Sequence, residues 1–291
     1  EDVAAPLLLL KRLHLYRGRL VVMNIALICD NNRVGFRRWL WSQLLRGASA
    51  VVSHTRVHAD AVPTTFEVEP ERSHFMHFAV DETWFASFPW APSHLAPQVV
   101  AAGHAGRDYE LLIDAAAIMP DVQFVILSSQ DNIDRLRATR SDPPGNVLIR
   151  LGDLSHRELA GCIASCDVAV LPLVESQVST GQTVLLELMA MGVATVVSDV
   201  SGVADYITAG VRTVPPGDLG ALVAAVRRLL DQPDEASALG ECAKDQVRRF
   251  TAQRTWPRMS ELLFPERDPA GRPPALLDAD ATSVSPAAEP R

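Results

Sequence analysis

Residues 167–205 read DVAVLPLVESQVSTGQTVLLELMAMGVATVVSDVSGVAD and carry the strongest signal of fold class in the chain. The stretch divides into an apolar strand at residues 167–173, a polar loop at 175–182, a helix at 183–191 that Gly192 ends, and a second apolar strand at 193–198. A strand, a crossover helix and a strand with continuous apolar runs are typical of a parallel sheet covered on both faces. This unit therefore predicts an α/β fold.

One acidic side chain, Glu187, interrupts the otherwise apolar helix at residues 183–191. Burying a carboxylate without a partner costs several kcal/mol, so a polar group must meet it. Two interpretations follow from the residues alone. Glu187 contacts a ligand, or it bonds a backbone group or an arginine of the protein itself.

The loop before this helix has the composition of an anion site. Ser179 and Thr180 are good helix N-caps, and Gly181 lets a ligand approach the backbone. The unpaired N–H groups of the first turn and the positive end of the helix dipole favour an anion there. Thr183 and Glu187 are spaced i, i+4 and share a face with that end. A diphosphate at the helix start would leave a hydroxyl-rich group, such as a ribose, within reach of Glu187.

Composition excludes several classes of protein. The 291 residues suffice for two domains, or for one domain and part of another, and 48% of them are hydrophobic, as in a globular protein. No apolar run reaches the ~18 residues that a membrane-spanning helix needs. The net charge of −8 argues against nucleic acid as a partner. Because the only lysines are Lys11 and Lys244, a phosphate clamp must use arginine, which argues against a phosphate-loop ATPase.

The four cysteines, Cys29, Cys162, Cys166 and Cys242, show neither disulfide nor zinc spacing, so we predict free buried thiols and no metal site. The apolar run at residues 6–12 is too short for the core of a signal peptide. We therefore expect a cytoplasmic protein, and the missing initiator Met suggests a fragment.

The first 50 residues are locally basic, with eight Lys or Arg against three acids. Residues 20–28 predict a buried strand, and residues 33–46 predict a helix that mixes Arg37, Arg38, Trp39 and Trp41. Basic and aromatic residues interleaved in this way could form a peripheral contact with the inner membrane surface. The alternative is that the tryptophans belong to the core. Strands at 48–53 and 74–78 follow, with the histidines between them predicted to be structural, and residues 84–97 predict a proline-punctuated linker at a domain boundary.

From Val99 onward, strands and helices alternate with short polar links. We predict strands at residues 99–102, 122–127, 147–151, 167–173, 193–198 and 211–214, and helices at 107–119, 131–140, 155–164, 183–191, 219–230 and 236–250. This alternation predicts a doubly wound parallel sheet, whose ligands lie beyond the carboxyl ends of the strands. Residues 103–107, Gly152 and residues 174–182 all fall at that edge. The turn at residues 103–106, GHAG, is not the G-x-G-x-x-G fingerprint, so a nicotinamide dehydrogenase has little support.

Three segments resemble the carboxyl-terminal half of a GT-B glycosyltransferase: STGQTVLLELMAMG at residues 179–192, SDVSGVADYI at 198–207 and VPPGD at 214–218. The most similar type is the large retaining, family 4-like group (glycosyl transferases group 1), which carries two glutamates eight positions apart. The resemblance covers residues 95–250 well, and 48–85 more loosely through AVVS at 50–53 and AVDETWF at 79–85. It implies a Rossmann-like domain and a metal-independent, retaining hexosyltransferase without a cofactor. The donor would be a UDP- or GDP-linked sugar, and the acceptor is not identified.

The resemblance also implies site residues. The second family glutamate falls on Glu187, which would bind the ribose, whereas the first falls on Ser179, where this chain departs from the pattern. Arg107 stands in place of a family lysine as the catalytic cation that neutralises the departing diphosphate; the alternative is a surface ion pair of Arg107 with Asp108 or Glu110. The remaining substrate-binding residues are Gly103, His104, and the backbone of Ser179, Thr180, Gly181, Gln182 and Thr183.

The chain is thus expected to consist of four parts. Residues 1–90 form a reduced or truncated amino-terminal, acceptor-side α/β domain, and residues 95–250 form the nucleotide-sugar-binding domain. Residues 251–264 form a helix that crosses back to the first domain, and residues 265–291, rich in Pro, Ala and Asp, form a disordered tail. Two other functions stay open: a non-catalytic remnant that binds nucleotide or a partner protein, and, with less support, a sugar-nucleotide epimerase.

Overall fold

The computed structural model describes residues 4–25, 34–93, 96–140, 142–151, 154–176 and 178–265. Its helices are α1 (Ala4–Arg12), α2 (Gly35–Leu45), α3 (Arg56–Phe66), α4 (Glu82–Ala86), α5 (Tyr109–Ile118), α6 (Gln130–Thr139), α7 (His156–Ala164), α8 (Gln182–Met191), α9 (Leu219–Asp231), α10 (Pro233–Val247) and α11 (Ala252–Leu263). Its strands are β1 (Val21–Asn24), β2 (Ala50–Ser53), β3 (Ser73–Phe75), β4 (Gln98–Ala102), β5 (Gln123–Ser128), β6 (Val147–Leu151), β7 (Val168–Leu171), β8 (Thr195–Ser198) and β9 (Arg212–Val214). Short 3₁₀ turns occur at Pro70–Arg72, Ala204–Tyr206 and Arg248–Phe250.

Some predictions fall outside the described residues. They concern the end of the first predicted strand (residues 26–28), Cys29, the start of the basic helix at Arg33, Gly152 at the sheet edge, and the tail from residue 266 onward.

The larger sheet has six parallel strands in the order β6-β5-β4-β7-β8-β9. The chain starts in the middle at β4, runs outward to β6, and then returns to the other side of β4 with β7. The strand order therefore reverses between β4 and β7, which makes that crevice the topological switch point of the sheet. The predicted doubly wound α/β fold is confirmed.

Alternation along β4 shows how the larger sheet is covered on both faces. Val99 and Ala101 pack with α5 and α9, whereas Val100 and Ala102 pack with α7 and α8. All four side chains are buried, because successive residues of a strand point to opposite faces. This explains why the strands read as continuous apolar runs.

The smaller sheet has three parallel strands in the order β1-β2-β3. One face packs against α1, α2 and α3 through a cluster that includes Leu8, Leu45 and Phe66. Helix α11 covers the other face, where Met259 and Leu262 contact β2. A cavity of about 550 Å³ lies between this sheet and α11, and apolar side chains such as those of Met76 and Trp256 line much of it.

Residues 84–97 were predicted to form a proline-punctuated linker, but their first three residues belong to a short helix. Helix α4 begins at Glu82, its N-cap Asp81 accepts a hydrogen bond from the backbone N–H of Trp84 at 2.9 Å, and the helix lies against α8. Trp84 and Phe85 pack into the same apolar cluster as Leu188. The prolines at residues 89 and 92 suggested a linker, but the cap and the aromatic side chains together stabilise a helical turn before them.

Two further sequence predictions concern single side chains. The tryptophans of α2 divide between the two interpretations, since Trp41 is buried and Trp39 is 56% exposed. Within the described residues the cysteines are free thiols, but only Cys166 is fully buried, whereas Cys162 and Cys242 are half-buried. Burial raises the pKa of the Cys166 thiol.

Candidate functional site

The loops that follow β4 and β7 meet at the switch point of the larger sheet. Arg107 and Leu173 form an isolated antiparallel bridge. The backbone N–H of Asp108 donates to the carbonyl of Pro172 at 2.8 Å, and that of Val174 donates to the carbonyl of Gly106 at 3.1 Å. The sequence placed residues 103–107 and 174–182 at one sheet edge, and the structure brings the two segments into direct contact where Val174 bonds Gly106.

The start of α8 is a glycine turn without a side-chain cap. Gly181 is the N-cap, with a left-handed φ of 93°, and the backbone N–H of Leu185 donates to its carbonyl at 2.9 Å. A Cβ at Gly181 would lie 2.9 Å from Cδ1 of Leu173, just after β7, and the left-handed φ would be strained in a residue with a Cβ. The prediction that Ser179 or Thr180 would cap α8 is wrong for this reason. Because no described side chain caps the first turn, its N–H groups remain suited to an anion.

Glu187 lies one turn beyond Thr183 on the outer face of α8. Thr183 is exposed and Glu187 is half-buried, whereas most of the other residues of the helix are buried. Burial raises the pKa of the Glu187 carboxyl to about 7. Within the described part of the chain, no backbone group or arginine bonds this carboxylate, so the protein-internal partner that the sequence left open is not seen.

Arg107 is a half-buried cation without a carboxylate partner among the described residues. Its Nε donates to the carbonyl of Ala102 at 3.1 Å, and its Nη1 donates to that of Ala105 at 2.7 Å. Burial lowers the pKa of the guanidinium. The alternative of a surface ion pair is not seen, because Asp108 accepts from the N–H of Leu111 and caps α5, and Glu110 lies beside a different arginine.

Gly103 and His104 form the turn under Arg107. Gly103 has a φ of 121°, and a Cβ at this position would clash with Nη2 of Arg107. The guanidinium therefore lies directly over the turn, an arrangement that requires glycine. His104 is exposed, and its carbonyl accepts from Nδ2 of Asn132 at 2.5 Å. The His104 side chain is thus exposed, whereas that of Arg107 is half-buried.

Ser179 contacts the smaller sheet. Its side chain is buried, and its Oγ lies 3.2 Å from Nδ1 of His58 and 3.5 Å from Oγ1 of Thr55. Thr55 caps α3 by accepting from the backbone N–H of His58 at 3.3 Å. The end of β2 and the start of α3 thus reach the loop that precedes α8. The sequence predicted a structural His58 but carried no signal for its contact with Ser179, since 121 residues separate them.

Thr180 and Gln182 complete the loop. The Oγ1 atom of Thr180 is buried beside Gly106 and has no hydrogen-bond partner among the described residues. Gln182 is buried, and its Nε2 donates to the carbonyl of Gly202, so its side chain fixes the loop after β8. The side chain of Gln182 is therefore already engaged, whereas Thr180 has a hydroxyl without a described partner.

Comparisons with known proteins agree with this geometry. Residues 96–232 match the family model of the glycosyl transferases group 1. Sucrose-phosphate synthase from Thermosynechococcus elongatus superposes with a TM-score of 0.68 at 19% identity, over 86% of this chain and 69% of that one. HepE from Anabaena, in complex with UDP-glucose, superposes with a TM-score of 0.69 at 16% identity, over 84% and 72%. The chain has the GT-B glycosyltransferase fold.

Curated relatives of this GT-B chain cover shorter stretches. Glycogen synthase from Mycobacterium tuberculosis (strain H37Rv) is 33% identical over 123 residues, which are 42% of this chain and 26% of that protein. The MMP alpha-(1->4)-mannosyltransferase from Mycolicibacterium hassiacum is 24% identical over 225 residues, 70% of this chain and 52% of that protein. The chain therefore spans about a quarter and about half of the length of these relatives.

Proposed function

We propose that the protein transfers a sugar from a UDP- or GDP-linked donor to an acceptor, with retention of configuration and without a metal ion. The observation that carries the proposal is the crevice between β4 and β7. There the start of α8, Arg107 and Glu187 lie on loops and a helix that meet. Among the described residues, no side chain caps that helix start, no carboxylate pairs with Arg107, and no group bonds the Glu187 carboxyl. Further support comes from HepE, which has the same fold and is complexed with UDP or UDP-glucose.

The diphosphate of the donor would lie against the first N–H groups of α8, with the Arg107 guanidinium on its other side. When the bond between the anomeric carbon and the diphosphate oxygen breaks, the electron pair stays with the diphosphate, whose negative charge grows. The anomeric carbon bonds the acceptor oxygen, and the proton of that hydroxyl passes to the departing diphosphate. Fixed N–H groups and a guanidinium stabilise that charge in a partly dry crevice. Because the guanidinium is a cation and the N–H groups carry partial positive charge, this step needs no metal ion.

Glu187 would accept hydrogen bonds from the ribose hydroxyls. A carboxylate accepts two such bonds best when it is ionised, whereas burial holds the pKa of Glu187 near 7 in the free protein. Nucleotide binding should therefore release a proton from Glu187 below that pH. The cost of keeping this carboxyl half-buried is offset only when the ligand is present.

Ser179 would lie toward the donor sugar, where the resembling family has its first glutamate. In this chain the position offers a neutral hydroxyl whose Oγ lies 3.2 Å from Nδ1 of His58 in α3. The pair would position a sugar hydroxyl by hydrogen bonding and would supply no negative charge. The substitution Ser179→Glu introduces that charge and should change which donor is used.

A second candidate function is a non-catalytic nucleotide-binding protein, which the serine at position 179 favours. The two candidates are separated by incubating the protein with a panel of UDP- and GDP-sugars and measuring the release of nucleoside diphosphate. Release that Glu187→Gln and Arg107→Ala both abolish supports the transferase. Calorimetric binding of UDP or GDP without any release supports the binding protein, and neither binding nor release contradicts both.

A further inference from the structure

Exposed apolar side chains are concentrated in one part of the molecule. Of the fifteen large apolar side chains that are exposed in the described residues, eleven lie between Leu9 and Leu40. The most exposed on α1 and the turn after it are Leu13 and Leu15, at 58% and 72%, and on α2 they are Phe36 and Trp39, at 71% and 56%. We call the outer surface of α1, residues 13–19 and α2 the N-terminal face.

The inner sides of α1 and α2 pack in the apolar core of the smaller sheet. Leu8 of α1 packs with Trp41 and Leu45 of α2 in the apolar cluster of the smaller sheet. Trp39 points away from that cluster and stacks on Phe36, with 5.5 Å between ring centroids. Each of the two helices therefore has one apolar side in the core and a second apolar side in solvent.

The charge of the N-terminal face is of one sign. Residues 4–25 and 34–46 contain seven Lys or Arg and no acid, in a chain whose net charge is −8. A concavity of about 380 Å³ on this face is lined by Lys11, Arg12, Arg17 and Arg46. The pKa of Lys11 is lowered, first by partial burial and then by the charge of Arg19. Basic side chains are thus crowded together. Among the described carboxylates, the one that pairs with basic side chains of this face is Glu67, which lies 3.4 Å from Arg46.

We propose that the N-terminal face docks on a bilayer of anionic phospholipid. Its leucine and aromatic side chains would enter the interfacial layer, and its arginine and lysine side chains would contact the lipid phosphates. None of the helices described in the structure is long and apolar enough to span a bilayer. The proposed contact is made by the surface of the N-terminal face. This inference is independent of the donor site, which involves other elements.

Charge and apolar exposure together favour this partner over others. A nucleic acid would match the positive charge but leave the leucines in water. A second copy that used the same face would bury the leucines but bring seven positive charges against seven others. An anionic bilayer satisfies both features.

The test uses the full chain, without nucleotide, in flotation with vesicles of phosphatidylcholine alone or mixed with phosphatidylglycerol. We expect binding to the mixed vesicles, little binding to phosphatidylcholine, and weaker binding as the salt concentration rises. The double substitution Arg12→Glu/Arg17→Glu should lower the partition coefficient roughly tenfold or more. Leu13→Ser/Leu15→Ser should lower binding to the same vesicles and reduce the part of binding that salt does not affect.

Matched controls are Ile118→Ser, an exposed apolar side chain on α5, and Arg137→Glu, an exposed cation on α6. Both should bind vesicles as the unmodified protein does. Equal binding to the two vesicle types, or equal losses in the controls and the test variants, overturns the proposal. So does a dimer in light scattering that Leu13→Ser/Leu15→Ser dissociates, since the face would then bind a second copy. Because vesicle binding is measured without nucleotide, its failure is distinct from failure of the proposed transferase.

Discussion

Replacing Glu187 with Gln should stabilise the free protein at neutral pH. Burial raises the pKa of this carboxyl from 4.5 to about 7. In the unfolded chain the carboxyl loses its proton near its ordinary pKa, so folding is favoured by the retained proton at low pH. That contribution is lost as the pH rises toward 7, and it amounts to roughly 3 kcal/mol as an upper bound. Because Gln has nearly the same shape and no charge, the variant avoids this loss.

The same substitution should weaken nucleotide binding. If the ionised carboxylate holds the ribose, the unmodified protein should bind UDP or GDP more tightly as the pH rises from 6 to 8. Loss of the charge-assisted hydrogen bonds should cost about 1.5–3 kcal/mol, or roughly ten- to a hundredfold in Kd, and remove this pH dependence. A gain in stability together with a loss of nucleotide affinity would indicate that Glu187 serves ligand binding and not folding.

The assay combines urea denaturation across pH with calorimetric titration of UDP and GDP. The difference between Glu187→Gln and the unmodified protein isolates this carboxyl from His54, His74 and His77, whose pKa values burial lowers. Glu71→Gln makes the same chemical change at an exposed position and should alter neither quantity. A Glu187→Gln protein that is less stable above pH 7, with unchanged nucleotide affinity, would show that the carboxyl serves the fold and does not bind the nucleotide.

Three further substitutions test the surrounding structure. Arg107→Ala should weaken UDP or GDP binding roughly ten- to a hundredfold in calorimetry, while Arg137→Ala leaves it unchanged. Gly240→Ala should lower stability by about 1–3 kcal/mol or more, because its Cβ would meet the carbonyl at the end of α8; a thermal melt equal to that of Gly145→Ala, where the space is open, would contradict this. Tyr206→Phe removes hydrogen bonds of 2.8 and 2.9 Å between its hydroxyl and two backbone groups beside the smaller sheet. It should lower stability by about 1–3 kcal/mol in urea denaturation, and an unchanged midpoint would show that water replaces the hydroxyl.

The unit of β7, α8 and β8 in the larger sheet could be predicted because its local sequence signals agreed with its tertiary surroundings. The apolar runs that became β7 and β8 are buried on both faces, and Gly192 ends α8 with a left-handed φ of 73°, as its position in the sequence indicated. Alternation of strands and helices was enough to predict a parallel sheet. The sheet edge at residues 103–107 and 174–182 followed from that topology.

Other features depend on contacts that the sequence does not encode locally. Ser179 is a residue type that often caps helices, yet its side chain bonds His58 of α3. Gly181, which lies close to Leu173, is the N-cap of α8 instead. Trp39 and Trp41 are alike in sequence, but only Trp41 reaches the apolar cluster of the smaller sheet. In each case a neighbour distant in sequence decides the outcome.

The sequence predicted a cation at Arg107 but not which of its neighbours it would contact. The resemblance to the glycosyltransferase family implied a cation for a phosphate at this position, and an ion pair with Asp108 or Glu110 was the alternative. The structure engages those carboxylates elsewhere, through the cap of α5 and through an arginine of the segment that follows α6. Its role toward a phosphate stays a prediction.

The most direct test of a donor site at the switch point is a crystal structure of the protein with UDP or GDP. We expect the diphosphate to lie within hydrogen-bond distance of the N–H groups at the start of α8 and of the Arg107 guanidinium, with the ribose hydroxyls on Glu187. A nucleotide bound elsewhere, for instance in the apolar cavity under α11, or a Glu187 carboxylate that turns away from the ribose, would contradict this expectation.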